Sequence, residues 1–147
     1  MPPMYLIDTN VISEARKVQR ANTGVQQFFA DLRSTRAKAF LSVITVGELR
    51  RGADLIGHRG DHAQARRLET WLQRIVDDFG SYILDVDADI AQVWGRLRTP
   101  HPENALDKLI AATALIHGLT VVTRNVKDFR STGVDTLNPF ARDMPTR

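Results

Sequence analysis

The chain has 147 residues, 43% hydrophobic and 25% charged, with 9 Gly, 6 Pro and no Cys. That is the length of one domain with one core, and the composition excludes a disordered or fibrous chain. The lack of thiols excludes disulfides and thiolate metal sites and suits a reducing, cytoplasmic setting. A net charge of +3, with 16 of the 20 basic residues arginine, is a mild bias toward phosphate-bearing partners that base composition of the genome would equally explain. No apolar run is long enough for a membrane span.

The apolar run Met4-Tyr5-Leu6-Ile7 reads as a strand that ends at Asp8. Val11, Ile12 and Ala15 then mark one face of a helix. Asn22 or Thr23 caps a second helix, with Val25, Phe28, Phe29 and Leu32 at helical spacing. Residues 39–42 read as a strand and 44–56 as a helix burying Leu49, Ala53 and Ile56. After a break at 57–60, Asp61 opens an amphipathic helix through Ala65, Leu68, Leu72, Ile75 and Phe79. Residues 82–84 form a third strand, and Asp85 or Asp87 starts a helix bearing Ile90, Val93, Trp94 and Leu97. Thr99-Pro100-His101-Pro102 is an extended loop. A nearly all-apolar helix covers 104–117, Gly118 ends it, residues 119–122 form a fourth strand and 133–137 the last, before Asn138-Pro139 and a frayed tail. Strands alternating with helices imply a parallel sheet covered on both faces.

Four acids stand at the ends of these runs: Asp8, Glu48, Asp107 and Asp128. Each has a local explanation. Asp8 can cap the first helix, and Glu48 can face the dipole of its own. Asp107 can complete a capping box with Asn104, and Asp128 can cap the turn at Phe129. Together they have another reading, because strand ends of an open α/β sheet meet at one edge, where ligands bind. Converging carboxylates repel by about 4 kcal/mol per pair at 4 Å and an effective dielectric of 20, so such a cluster calls for a cation or a raised pKa. Asp107 also begins an inward stripe with Ile110, Ala111 and Ala114. Thr123 and Asn125 stand where they could bond water or phosphate at the fourth strand's exit.

Other chemistry finds little support. The four histidines lack paired metal spacing, and no glycine-rich phosphate loop or Gly-x-Ser-x-Gly elbow is present. The run Asp85-Val86-Asp87-Ala88-Asp89 sits at a strand-to-helix junction, where capping explains it.

Four blocks carry a family resemblance: Leu6-Ile7-Asp8-Thr9-Asn10-Val11-Ile12-Ser13, Ser42-Val43-Ile44-Thr45-Val46-Gly47-Glu48-Leu49, Asp107-Lys108-Leu109-Ile110-Ala111-Ala112-Thr113-Ala114 and Thr123-Arg124-Asn125-Val126-Lys127-Asp128-Phe129. In this order they resemble the motif blocks of PIN-domain ribonucleases of the VapC type, toxins of toxin-antitoxin pairs. The resemblance implies a three-layer α/β/α domain over residues 1–140, with a central, mainly parallel sheet of four to five strands and a tail at 141–147. It implies that Asp8, Glu48, Asp107 and Asp128 are catalytic and serve Mg²⁺ or Mn²⁺. Asp8 and Asp107 would be direct ligands, Glu48 and Asp128 direct or through water, and Thr9, Thr123 and Asn125 polar neighbours. Lys108 stands where a small or apolar residue is more usual. The implied reaction is hydrolysis of RNA by metal-activated water, with a cognate antitoxin, a homodimer and a toxin-antitoxin hetero-oligomer as assemblies. Two readings stay open beside it: a non-catalytic α/β nucleic-acid-binding module, and a metal-dependent phosphatase of small phosphate esters. Against the phosphatase, Asn10 occupies the place of the second acid, two residues after Asp8.

Overall fold

In the computed structural model, which describes residues 2–143, strand and helix alternate from the first strand onward. The strands β1 (Met4–Ile7), β2 (Lys38–Ser42), β3 (Ile83–Leu84), β4 (Thr120–Val122) and β5 (Thr136–Leu137) form one sheet in the order β3-β2-β1-β4-β5. Every pairing is parallel, and Tyr5 of β1 lies opposite Ala39 on one side and Thr120 on the other. The helices are α1 (Thr9–Ala15), α2 (Thr23–Ser34), α3 (Val43–His58), α4 (His62–Phe79), α5 (Ala88–Leu97) and α6 (Ala105–His117).

Strand alternation divides the core between the two faces. Leu6 and Val121 pack with Ile110, Ala111 and Ala114 of α6 and Leu97 of α5. Their chain neighbours Ile7 and Val122 turn the other way, onto Val11, Ile12, Val25, Phe28, Leu49 and Leu72 of α1 to α4. Leu6, Ile7, Val121 and Val122 are completely buried, and each such side chain contributes about 1.5–3 kcal/mol. The chain therefore adopts the expected three-layer α/β/α arrangement.

The expected caps form at Asn22, Asp61 and Asp87, whose side chains accept from the backbone N–H of Val25, Gln64 and Ile90 at 3.0, 3.1 and 2.9 Å. Capping thus accounts for Asp87 in the acidic run. Several boundaries differ from expectation. Helix α3 continues through Gly57 and His58, and Gly57 lies where α3 meets α4: a Cβ there would stand 3.4 Å from that of Ala65. Tyr82 belongs to a 3₁₀ turn (Gly80–Tyr82) and stacks on Phe40, ring centroids 4.8 Å apart. The last strand starts at Thr136, because Gly133, at φ 80°, ends the preceding 3₁₀ helix (Val126–Thr132) with a left-handed turn. Past Pro139 the chain forms another 3₁₀ turn (Pro139–Asp143) whose Phe140 packs on the core beneath the Arg124 guanidinium, 4.7 Å from the ring centre. The fraying expected there is not observed over 139–143, and residues 144–147 of the expected tail lie outside the described residues.

The topology positions the site. From β1 the chain steps outward through β2 and β3, then crosses to the opposite side of β1 to lay down β4 and β5. The direction of build reverses between β1 and β4, and the carboxyl end of that junction is where parallel sheets leave a crevice for ligands.

Candidate active site

Asp8 stands in that crevice. Its backbone N–H extends the ladder to the Val122 carbonyl at 2.9 Å, and its carbonyl accepts from Val11 and Ile12 as α1 begins. The residue is only 6% exposed. Oδ1 accepts from the Thr9 backbone N–H at 2.8 Å, so the capping role is real. Oδ2 is held from across the junction by the Thr123 hydroxyl at 2.8 Å, and from the same side by the Asn10 amide at 3.3 Å. Burial raises the Asp8 pKa above its ordinary value, against the hydrogen bonds from Thr123, Thr9 and Asn10 that pull it down.

Thr123 corrects an expectation. Expected to bond water or phosphate at the strand's exit, it is completely buried instead, and its hydroxyl is already committed. The hydroxyl oxygen donates to Asp8 and accepts from the Asn125 backbone N–H at 3.0 Å and the Asn10 amide at 3.4 Å. It therefore aims the aspartate. Asn125 enters through its backbone; its side chain is exposed and makes no cap bond. Thr9, besides its backbone bond, donates its hydroxyl to that of buried Thr45 at 3.4 Å.

Asn10 and Thr45 are polar neighbours that the sequence reading did not assign to the site. Asn10 bonds Asp8 and Thr123 through its amide nitrogen, while its Oδ1 accepts from the Arg124 backbone N–H at 3.0 Å, tying α1 to the exit of β4. For Thr45 a signal existed: it lies three residues before Glu48, one turn away on the same helix face.

The remaining acids close around Asp107, in the first turn of α6 and half-buried. Its pKa is pushed up to about 6, first by burial and then by the negative charges of Asp8, Asp128 and Glu48. Asp107 thus feels the charge of the other three acids across one crevice. Glu48 sits in the second turn of α3, where the helix dipole no longer accounts for it. Asp128 lies inside the Val126–Thr132 turn, its N–H donating to the Asn125 carbonyl at 3.0 Å, so it does not cap Phe129. Nor does Asn104 form the expected capping box: at φ 57° it makes no side-chain cap bond. Lys108 does not answer Asp107; buried, it donates Nζ to the His101 carbonyl at 2.6 Å and pins the loop before α6.

Against known proteins, the PIN domain family matches residues 5–134. The chain belongs to the PIN-domain family. This PIN domain is 37% identical over 143 residues to Toxin FitB of Neisseria gonorrhoeae, covering 93% of this chain and 99% of that relative. It is 32% identical over 140 residues to VapC ribonuclease Y4jK of Sinorhizobium fredii, covering 93% and 98%. Among solved structures, FitAcB from Neisseria gonorrhoeae aligns with a TM-score of 0.80 at 33% identity, over 93% of this chain and 99% of that one.

The donor chemistry of this PIN domain fits a hard divalent cation. Four carboxylates share one crevice, and a cation relieves the repulsion that adds to burial in raising the Asp107 pKa. Among the described residues no three acids or imidazoles stand close enough to enclose one ion unaided.

Proposed function

We propose that this chain is a divalent-metal-dependent endoribonuclease and the toxin of a toxin-antitoxin pair. The observation that carries the reading is the convergence of Asp8, Asp128 and Glu48 on half-buried Asp107, whose carboxyl is pushed up to about 6 first by burial and then by their charges. Such a cluster is costly without a cation and useful with one. Asp8 and Asp107 are the direct ligands of Mg²⁺ or Mn²⁺, and Glu48 and Asp128 act directly or through water. When bound, the ion supplies activation of water and positive charge against the scissile phosphate. The chain supplies the aim. Thr123, Asn10 and the Thr9 N–H fix both oxygens of Asp8, each of which retains lone-pair capacity. Attack by water needs no ribose 2′-hydroxyl, so the products carry no 2′,3′-cyclic phosphate.

The nuclease domain spans residues 1–140. Similarity to Toxin FitB supports a cognate antitoxin as partner. The apolar side chains of Leu106, Leu115 and Ile116, 40–48% exposed on α6, support a homodimer that buries them. No helix of the described residues is long and apolar enough to cross a membrane.

The test compares the purified protein with Asp8→Asn on structured RNA, with Mg²⁺ and with chelator. Metal-dependent cleavage by the wild type, reduced at least about 10²-fold in the variant, is expected. Equal cleavage by the two proteins would sink the assignment.

A further inference from the structure

Helix α4 carries a row of arginines outside the acid cluster. Arg66, Arg67 and Arg74 are exposed, and with Thr70 and Trp71 they line an open groove of about 490 Å³. Helical spacing puts Arg67, Thr70 and Arg74 on one stripe, with about 10.5 Å of rise between the two arginines. The charge of Arg50, reaching across from α3, is answered by Glu69 at 2.8 Å and Asp54 at 3.5 Å. Among the described residues, by contrast, Arg66 and Arg74 make no ion pair, and Arg67 has only a hydrogen bond to neutral Gln64 at 2.9 Å. Exposed cations alone are commonly a solvated face. Here the row is continuous with the acid cluster: Trp71 also lines a neighbouring cleft of about 390 Å³ that passes Arg16 and reaches Glu48 and Asn10.

We propose that this row is a second RNA contact, holding the phosphate backbone of the strand that leads away from the acid cluster, with half-buried Trp71 as the surface on which a base stacks. The inference rests on the ribonuclease reading. Forked guanidiniums match phosphate oxygens bidentately, and stacking on an aromatic ring is indifferent to base identity. A polyanionic strand leaving the cleft past Trp71 meets unpaired positive charge along α4. The row contributes affinity without sequence preference.

The test measures binding of a labelled single-stranded RNA in an Asp8→Asn background across a salt series. It compares that parent with a triple variant, Arg66→Gln, Arg67→Gln and Arg74→Gln, and with the matching triple lysine variant. Three lost phosphate contacts lower the slope of log affinity against log salt by about 2, with an equal loss on unrelated RNA sequences, whereas the lysine variant keeps the slope. An unchanged slope overturns the proposal, as does absence of RNA binding by the parent. A lysine variant as impaired as the glutamine one overturns it as well, because the effect is then one of structure. Polyglutamate displacing the probe from the parent as effectively as unlabelled RNA reassigns the row to an acidic peptide. Wild-type cleavage with Mg²⁺ is scored separately: cleavage with an unchanged slope removes the row alone, while a reduced slope without cleavage removes the nuclease reading alone.

Discussion

Replacing Asp107 by asparagine should stabilise the metal-free protein while destroying its activity. The Asp107 pKa lies at about 6 in the fold against 3.8 for the ordinary group. Two units at 1.36 kcal/mol each give about 3 kcal/mol of penalty on the ionised form, which solvent screening of a half-buried group reduces to about 1.5 kcal/mol. Because the folded pKa is the higher one, this penalty is absent below about 4, grows between about 4 and 6, and is fully present at neutral pH. Asp107→Asn removes it, so at pH 7.5 with chelator the variant should melt about 3–6 °C above the wild type, with the difference closing as the pH is lowered to 4. Adding Mg²⁺ should raise the wild-type melting temperature and leave the variant's nearly unchanged. The measurement is a set of thermal melts across pH and metal. An Asp107→Asn protein that melts below the wild type at pH 7.5 without metal would refute the claim that burial and the neighbouring carboxylates together penalise the ionised group there.

Mg²⁺ competes with the Asp107 proton, so the concentration giving half-maximal cleavage should rise about tenfold per pH unit below 6 and level off above 7, as read from Mg²⁺ titrations at several pH values. Thr123→Val keeps the shape of the side chain but removes the hydroxyl that serves Asp8, Asn10 and Asn125. It should weaken Mg²⁺ affinity by about 10–100-fold and cost about 1–3 kcal/mol in urea unfolding; unaltered Mg²⁺ affinity would remove the positioning role. Phe129→Ala, at a completely buried ring beside Asp128, should cost about 3–5 kcal/mol in the same assay. Charge placed on the exposed α6 face by Ile116→Lys should shift the protein to monomer in light scattering if that face is the dimer contact; an unchanged mass would place the contact elsewhere.

The alternation of apolar runs announced the three layers, because strands covered on both faces must be apolar throughout, as Leu6 and Ile7 are. The acids were legible at the ends of apolar runs and their meeting at one sheet edge as one reading of them, but not which junction they meet at, since that depends on the crossing from β3 back to β4 beside β1. Local patterning carries no record of that crossing. The inward turn of Thr123 was misjudged for a related reason: its orientation follows from the register of β4 between β1 and β5, which a three-residue strand does not reveal. Asn10 was legible only as the residue in place of a phosphatase's second acid, because its partners Thr123 and Arg124 lie 113 and 114 residues away. At Gly133 and Asn104, backbone in the left-handed region displaced a strand start and a cap that residue type alone suggested.

The bond between Thr123 and Asp8 joins positions 115 residues apart, and this has a consequence for synthesis. At the usual rate of about 5–20 residues per second, the aspartate leaves the ribosome on the order of 10 s before the hydroxyl that aims it and the fourth acid that follows. The central strand waits with one open edge until β4 arrives. A nascent chain therefore lacks both an aimed Asp8 and the fourth acid until its last segment emerges, and the crevice is assembled only with the completed fold.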